Sequence, residues 1–157
     1  MSTHEAWVTR RVEASPEAVW EVVTDLEAAQ ERLSQVTQLH VITPGPYAVG
    51  TGWRETRRMM GASDTQDLWV VENDPYRRTV TEARSGGTTY RTALSLEALE
   101  DGAATQLSVH FSGSTAESGA LQRLALKVVG PLGLKLTEKA LRTELDDIAA
   151  AAESLHR

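Results

Sequence analysis

Hydrophobic and polar positions change period several times along this chain, and the changes mark out its elements. Glu5 to Glu13 alternates with the period of two that a strand requires, and Pro16 to Leu33 then takes a helical spacing. From Val36 to Gly113 the period returns to two across six strand-like runs, and the chain closes on an amphipathic helix. An antiparallel sheet built in this order, curved around one long helix, leaves a hollow between the two layers. Hollows of that kind hold small apolar molecules.

Local signals sharpen the boundaries. Ser15-Pro16-Glu17 is a helix start, with Ser15 as cap, Pro16 in the first turn and an acid near the positive end of the helix dipole. Asp25 caps a second short helix, LEAAQERL, and Trp20 reads as a packing residue of the first. Turn residues then arrive regularly at Pro44-Gly45-Pro46, Gly61-Ala62-Ser63-Asp64, Asn73-Asp74-Pro75, Ser85-Gly86-Gly87 and Asp101-Gly102, while Gly50-Thr51-Gly52 fits a hairpin. Connections this short favour an antiparallel meander, because parallel pairs need long crossovers.

In the closing helix Leu134, Leu141, Leu145, Ile148, Ala152 and Leu155 fall on one face, which must be buried. Gly130-Pro131-Leu132-Gly133 interrupts the pattern, so the sequence predicts a kink or a separate helix from about Ser118 to Val129. Residues 118–136 then read as a lid over the cavity mouth. Leu121 to Leu136, with leucines and three cations, alternatively offers a membrane-surface or protein-interaction face, or the contact of a homodimer.

Length and composition exclude several functions. The 157 residues suit one domain, 1–157, and the net charge of -6, scattered without a basic stripe, argues against nucleic acid. No cysteine is present, which removes disulfides, thiol nucleophiles and thiolate metal sites. The four histidines, His4, His40, His110 and His156, lack metal-ligand spacing, so neither a metal nor another cofactor is expected, and His40 and His110 should face solvent. No secretory signal and no apolar run of transmembrane length occurs, so the expected location is the cytoplasm.

Candidate chemistry concentrates in the strand-like runs. GTGWRETRRMMG places Trp53, Glu55, Arg57 and Met59 on one face, and if that face points inward, Glu55 and Arg57 could orient a ligand oxygen or move a proton. If it points outward, the same two residues are a surface ion pair. In TTYRTALSLEAL, Tyr90, Thr92 and Leu94 share a face, as do Leu107, Val109 and Phe111 in the next run; the hydroxyls could meet a ligand, and the apolar members form a wall or simply core. The run from 65 to 73 is apolar on both faces, since Leu68 and Val70 oppose Trp69 and Val71. No nucleophile elbow and no phosphate loop is present.

The chain resembles the SRPBCC or START-like superfamily of Bet v 1-like, helix-grip proteins, and within it the bacterial polyketide cyclase/dehydrase-like proteins. The resemblance spans nearly the whole chain and rests on RRVEASPEAVWEVVTDLEAAQERLSQV, VENDPYR, SLEALEDGAATQLSVHF and ALRTELDDIAAAAE, taken in order. It implies an α+β fold: a curved antiparallel sheet of about seven strands around a long C-terminal helix, with two short helices after the first strand. It also implies a hydrophobic cavity lined by Trp53, Glu55, Arg57, Met59, Leu68, Val70, Tyr90, Thr92, Leu94, Val109, Phe111, Leu134 and Leu141, holding a lipid or polyketide-like molecule. The alternative is a cyclase or dehydratase acting without cofactor in the same cavity, with Glu55 and Arg57 as candidate catalytic groups. Aromatic polyketide cyclases of the superfamily carry rings where EAAQERLSQV stands here, and no catalytic residue is carried over from them.

Overall fold

Capping chemistry sets the helices where the sequence places them. The Ser15 hydroxyl accepts from the Ala18 amide at 3.2 Å and Pro16 opens α1, Pro16–Thr24. Asp25 adopts a non-helical conformation that ends α1, and its carboxylate accepts from the Ala28 amide to start a 3-10 turn, Leu26–Ala28. That turn leads into α2, Ala29–Arg32. The two short helices expected here are present, the second opening as a 3-10 turn before its single α turn. The computed structural model describes residues 2–59, 62–85, 87–115 and 131–155, with the backbone alone at 2–4, 59, 85, 115 and 131–134.

The period-two runs form one antiparallel sheet. Its strands are β1 (Ser2–Val12), β2 (Val36–Val41), β3 (Gly52–Met59), β4 (Ala62–Asp74), β5 (Arg78–Ser85), β6 (Thr88–Leu99) and β7 (Ala104–Thr115), in spatial order β1-β7-β6-β5-β4-β3-β2. Each of β2 to β7 pairs with its sequence neighbour, as short connections require, and β1 pairs with β7. The exception to the short links is the connection from β2 to β3, residues 42–51, which is longer than the hairpin expected around Gly50-Thr51-Gly52. Gly52 serves a different purpose: it pairs with Trp69, and a Cβ there would lie 2.2 Å from the Trp69 ring. The indole covers a strand position that has no side chain of its own.

The inner face of the sheet and the last helix, α3 (Pro131–Leu155), make the core. Val8 and Val12 of β1, Leu96 of β6, and Leu107 and Val109 of β7 pack with Val19, Trp20 and Val22 of α1 and with Leu141, Leu145, Ile148, Ala149 and Ala152 of α3. Val70, on the inner face of β4, is also buried, which settles the face of the 65–73 run: Leu68 and Val70 inward, Trp69 outward. Leu155 departs from expectation, being 42% exposed in the last residue of α3 rather than buried with the rest of its stripe. The described part of α3 begins at Pro131 and runs through Gly133, and the expected break at Gly130 lies outside the described residues. The expected first helix, Ser118 to Val129, and with it most of the proposed lid, lies outside the described residues.

Polar ties hold α3 over the sheet at both edges. Arg10 donates to Asp146 at 2.7 Å and the Glu13 amide to Glu153 at 2.9 Å, while the Ser34 amide and hydroxyl both donate to Asp147. The Gln35 amide group donates to the Ala140 carbonyl at 3.0 Å. The helix therefore packs tightly near β1 and β7 and spans a gap toward β3 to β6, where the inward side chains leave a hollow.

Candidate functional site

The hollow has a volume of about 460 Å³ and lies between the inner faces of β3 to β6, the short helices and α3. Its polar end is built by alternation on β3, which turns Trp53, Glu55 and Arg57 inward while Arg54 and Arg58 face water. Antiparallel pairing sets Leu68 opposite Trp53, Gln66 opposite Glu55 and Asp64 opposite Arg57, so β4 supplies a second row to the same surface. Farther along the sheet come Thr81 and Ala83 of β5, then Tyr90, Thr92 and Leu94 of β6. Phe111 of β7 stacks on Tyr90 with ring centroids 5.8 Å apart.

Glu55 and Arg57 belong to a three-residue ion network that includes Glu144 of α3. The Arg57 guanidinium donates from Nε to Glu55 Oε2 at 2.6 Å and from Nη2 to Glu144 Oε1 at 2.5 Å. The Trp53 indole donates to Glu55 Oε1 at 3.3 Å. Glu55 is 5% exposed, which rules out the surface ion pair. Burial disfavours the charge on Arg57, but Glu144 and Glu55 outweigh it and hold the guanidinium protonated beyond the ordinary arginine range. A charge so placed is a permanent part of the wall.

Tyrosines edge the hollow at two further points. Tyr47, from the connection between β2 and β3, shares a 2.7 Å hydrogen bond with the Thr79 hydroxyl and sits 6.4 Å from both Trp20 and Trp53 by ring centroid. Burial pushes its phenol above the usual tyrosine range, partly offset by the Thr79 bond. The Tyr90 phenol is raised as well, by burial and by the nearby Asp64 carboxylate against a hydrogen bond with Thr88. Both phenols are neutral acceptors and donors at neutral pH.

Of the residues expected to line the cavity, Trp53, Glu55, Arg57, Leu68, Tyr90, Thr92, Leu94, Phe111 and Leu141 do so. Val70 and Val109 do not: both point inward but are covered by neighbouring side chains and belong to the packed interior. The side chains of Met59 and Leu134 lie outside the described residues. Sequence reasoning missed Glu144, Tyr47, Asp64 and Gln66, together with Val22, Leu26 and Leu33 of the helical stretch. Asp64 and Gln66 could have been found by extending the Leu68 alternation backwards, and Glu144 by its place three residues after Leu141.

His40 and His110 stay out of the cavity. His40 is exposed, and His110 lies on the outer face, stacked on Trp7 at 4.2 Å and 3.3 Å from Glu5. Among the described residues no three His, Cys, Asp or Glu side chains are grouped as metal ligands, and no helix is long and apolar enough to cross a membrane.

Residues 3–153 match a family described as polyketide cyclase / dehydrase and lipid transport. Solved structures of similar fold include an aromatase/cyclase from Streptomyces sp. R1128, with TM-score 0.80 and 17% identity over 99% of this chain and 97% of that one. A protein of Thermus thermophilus gives TM-score 0.76 and 19% identity over 98% of this chain and 99% of that one. A START superfamily protein from Mycobacterium smegmatis gives TM-score 0.76 and 17% identity over 97% and 99% of the two chains. No curated protein sequence matches.

Proposed function

The chain belongs to the polyketide cyclase / dehydrase and lipid transport family, and on that premise we propose that its cavity takes up a small, largely apolar molecule. The observation that carries this reading is the hollow itself: about 460 Å³ walled by leucines, aromatic rings and alanines, with its few charged groups gathered at one end. Apolar walls supply the driving force for uptake, and the polar end fixes orientation. A cytoplasmic location belongs to the same proposal.

Blocking the cavity tests it. Ala83 is buried on the inner face of β5, opposite Tyr90, and borders the hollow. Ala83→Trp should fill that space and lower affinity for a bound hydrophobic probe such as a naphthalene derivative by more than about tenfold, equivalent to 1.4 kcal/mol. Unchanged titration calorimetry in a folded variant would sink the proposal.

A second reading, catalysis of a cyclisation or dehydration, is favoured by the burial of Glu55 at the cavity wall. In that reading Glu55 carries the proton, and Arg57, whose Nε and Nη2 already serve two carboxylates, orients it instead of stabilising an oxyanion. Glu55→Gln then abolishes turnover of a polyketide-like substrate while leaving its affinity within about threefold; retained turnover eliminates the role. The membrane-surface, interaction and homodimer readings of Leu121 to Leu136 fall largely on residues outside those described.

A further inference from the structure

The charges described on the cavity wall do not balance. Among the described residues its charged lining consists of Glu55, Asp64 and Glu144 against Arg57 alone. The Arg57 charge is already matched by two carboxylates, Glu55 at Nε and Glu144 at Nη2, so an incoming anion would compete with both of them for this cation. It would also meet an excess of negative charge, weakly screened at the sheltered Glu55 and Glu144 and more fully screened at the exposed Asp64. Asp64, opposite Arg57 in register, accepts from the Gln66 amide at 2.8 Å and adds negative charge on the β4 side.

A cation meets the opposite conditions. The indole of Trp53 lies beside Glu55, with Tyr47 next to it, so carboxylate and aromatic surface adjoin. A protonated amine would be held there by charged hydrogen bonds to the carboxylate lone pairs that Trp53 and Arg57 leave open, with the aromatic side chains beside it.

We propose that the molecule taken up by this cavity carries a protonated amine on an apolar, ring-sized body, with the amine at the Trp53, Glu55 and Glu144 end, and that free carboxylic acids of the same size are rejected. The inference rests on the cavity-binding reading above and adds the sign of the ligand's charge.

The test compares three probes of one shape at neutral pH and low salt: 1-naphthylmethylamine, 1-naphthalenemethanol and 1-naphthoate. Calorimetry on the intact chain should rank the amine first, at least about tenfold tighter than the carboxylate, with the alcohol between them. Glu144→Gln should narrow the ratio of amine to carboxylate affinity several-fold, and the wild-type ranking stands as a test even if that variant does not fold. Equal binding of all three probes, or tighter binding of the carboxylate, overturns the charge preference and leaves the cavity reading in place. Failure of all three to bind overturns both.

Discussion

Arg57→Ala is expected to lower stability by about 3 kcal/mol, in the range seen when one partner of a buried ion pair is removed. The loss comes less from the missing bonds than from what stays behind. Glu55 and Glu144 both turn toward Arg57 from opposite layers of the fold, and without the guanidinium two carboxylates face each other across an apolar gap. In a domain of this size the change corresponds to a fall of about 6–12 °C in the thermal midpoint. Adding Glu55→Gln and Glu144→Gln to Arg57→Ala should recover part of the deficit, because neutral amides end the repulsion. A loss below about 1 kcal/mol in urea or thermal unfolding would mean that water entering the cavity hydrates both acids, and the network would then carry little structural weight.

Leu145→Ala is expected to cost a similar amount, about 3 kcal/mol, by a different route. Leu145 is 1% exposed and sits where α3 meets β1, within the packed part of the layer and away from the lining of the ligand cavity. Truncation there leaves a void that its neighbours fill only partly. Binding of a neutral hydrophobic probe should move by less than about threefold, since no wall of the hollow is altered. The two variants together therefore separate the interior that holds the fold from the hollow that holds a ligand. A tenfold loss of probe affinity in Leu145→Ala would show that the two are mechanically joined.

Much of this architecture was legible because its signals are local. Ser15, Pro16 and Asp25 cap helices through atoms a few residues away, and turn residues mark each reversal of the sheet. Alternation on β3 brought Trp53, Glu55 and Arg57 to one face, and only the direction of that face needed the structure. Glu144 was illegible for the opposite reason. Its partner Arg57 is 87 positions distant, and an acid beside a leucine stripe reads as the edge of a solvated face until the sheet is laid against it. Tyr47 was hidden by lying in a connection with no period at all. Gly52 read as turn chemistry, whereas the ring of Trp69 across the strand pair is what demands it. Val70 and Val109 show the limit of inward direction as a signal: pointing in does not decide between packed interior and open wall.

The pairing of β1 with β7 also governs how the chain must be made. Thr9 and Ser108, hydrogen-bonded across that pair, are 99 positions apart, so the first strand to leave a ribosome waits for its neighbour until nearly the whole sheet has been synthesised. At ordinary translation speeds that interval is roughly 5–20 s, far longer than a hairpin takes to close. Through that time the nascent β1 carries unpaired backbone groups together with Ala6, Trp7 and Val8, a sticky segment in an unfinished chain. Arg10 and Arg11 at its trailing end, with Glu13 just beyond it, place charge where charge disfavours pairing between copies of an exposed strand.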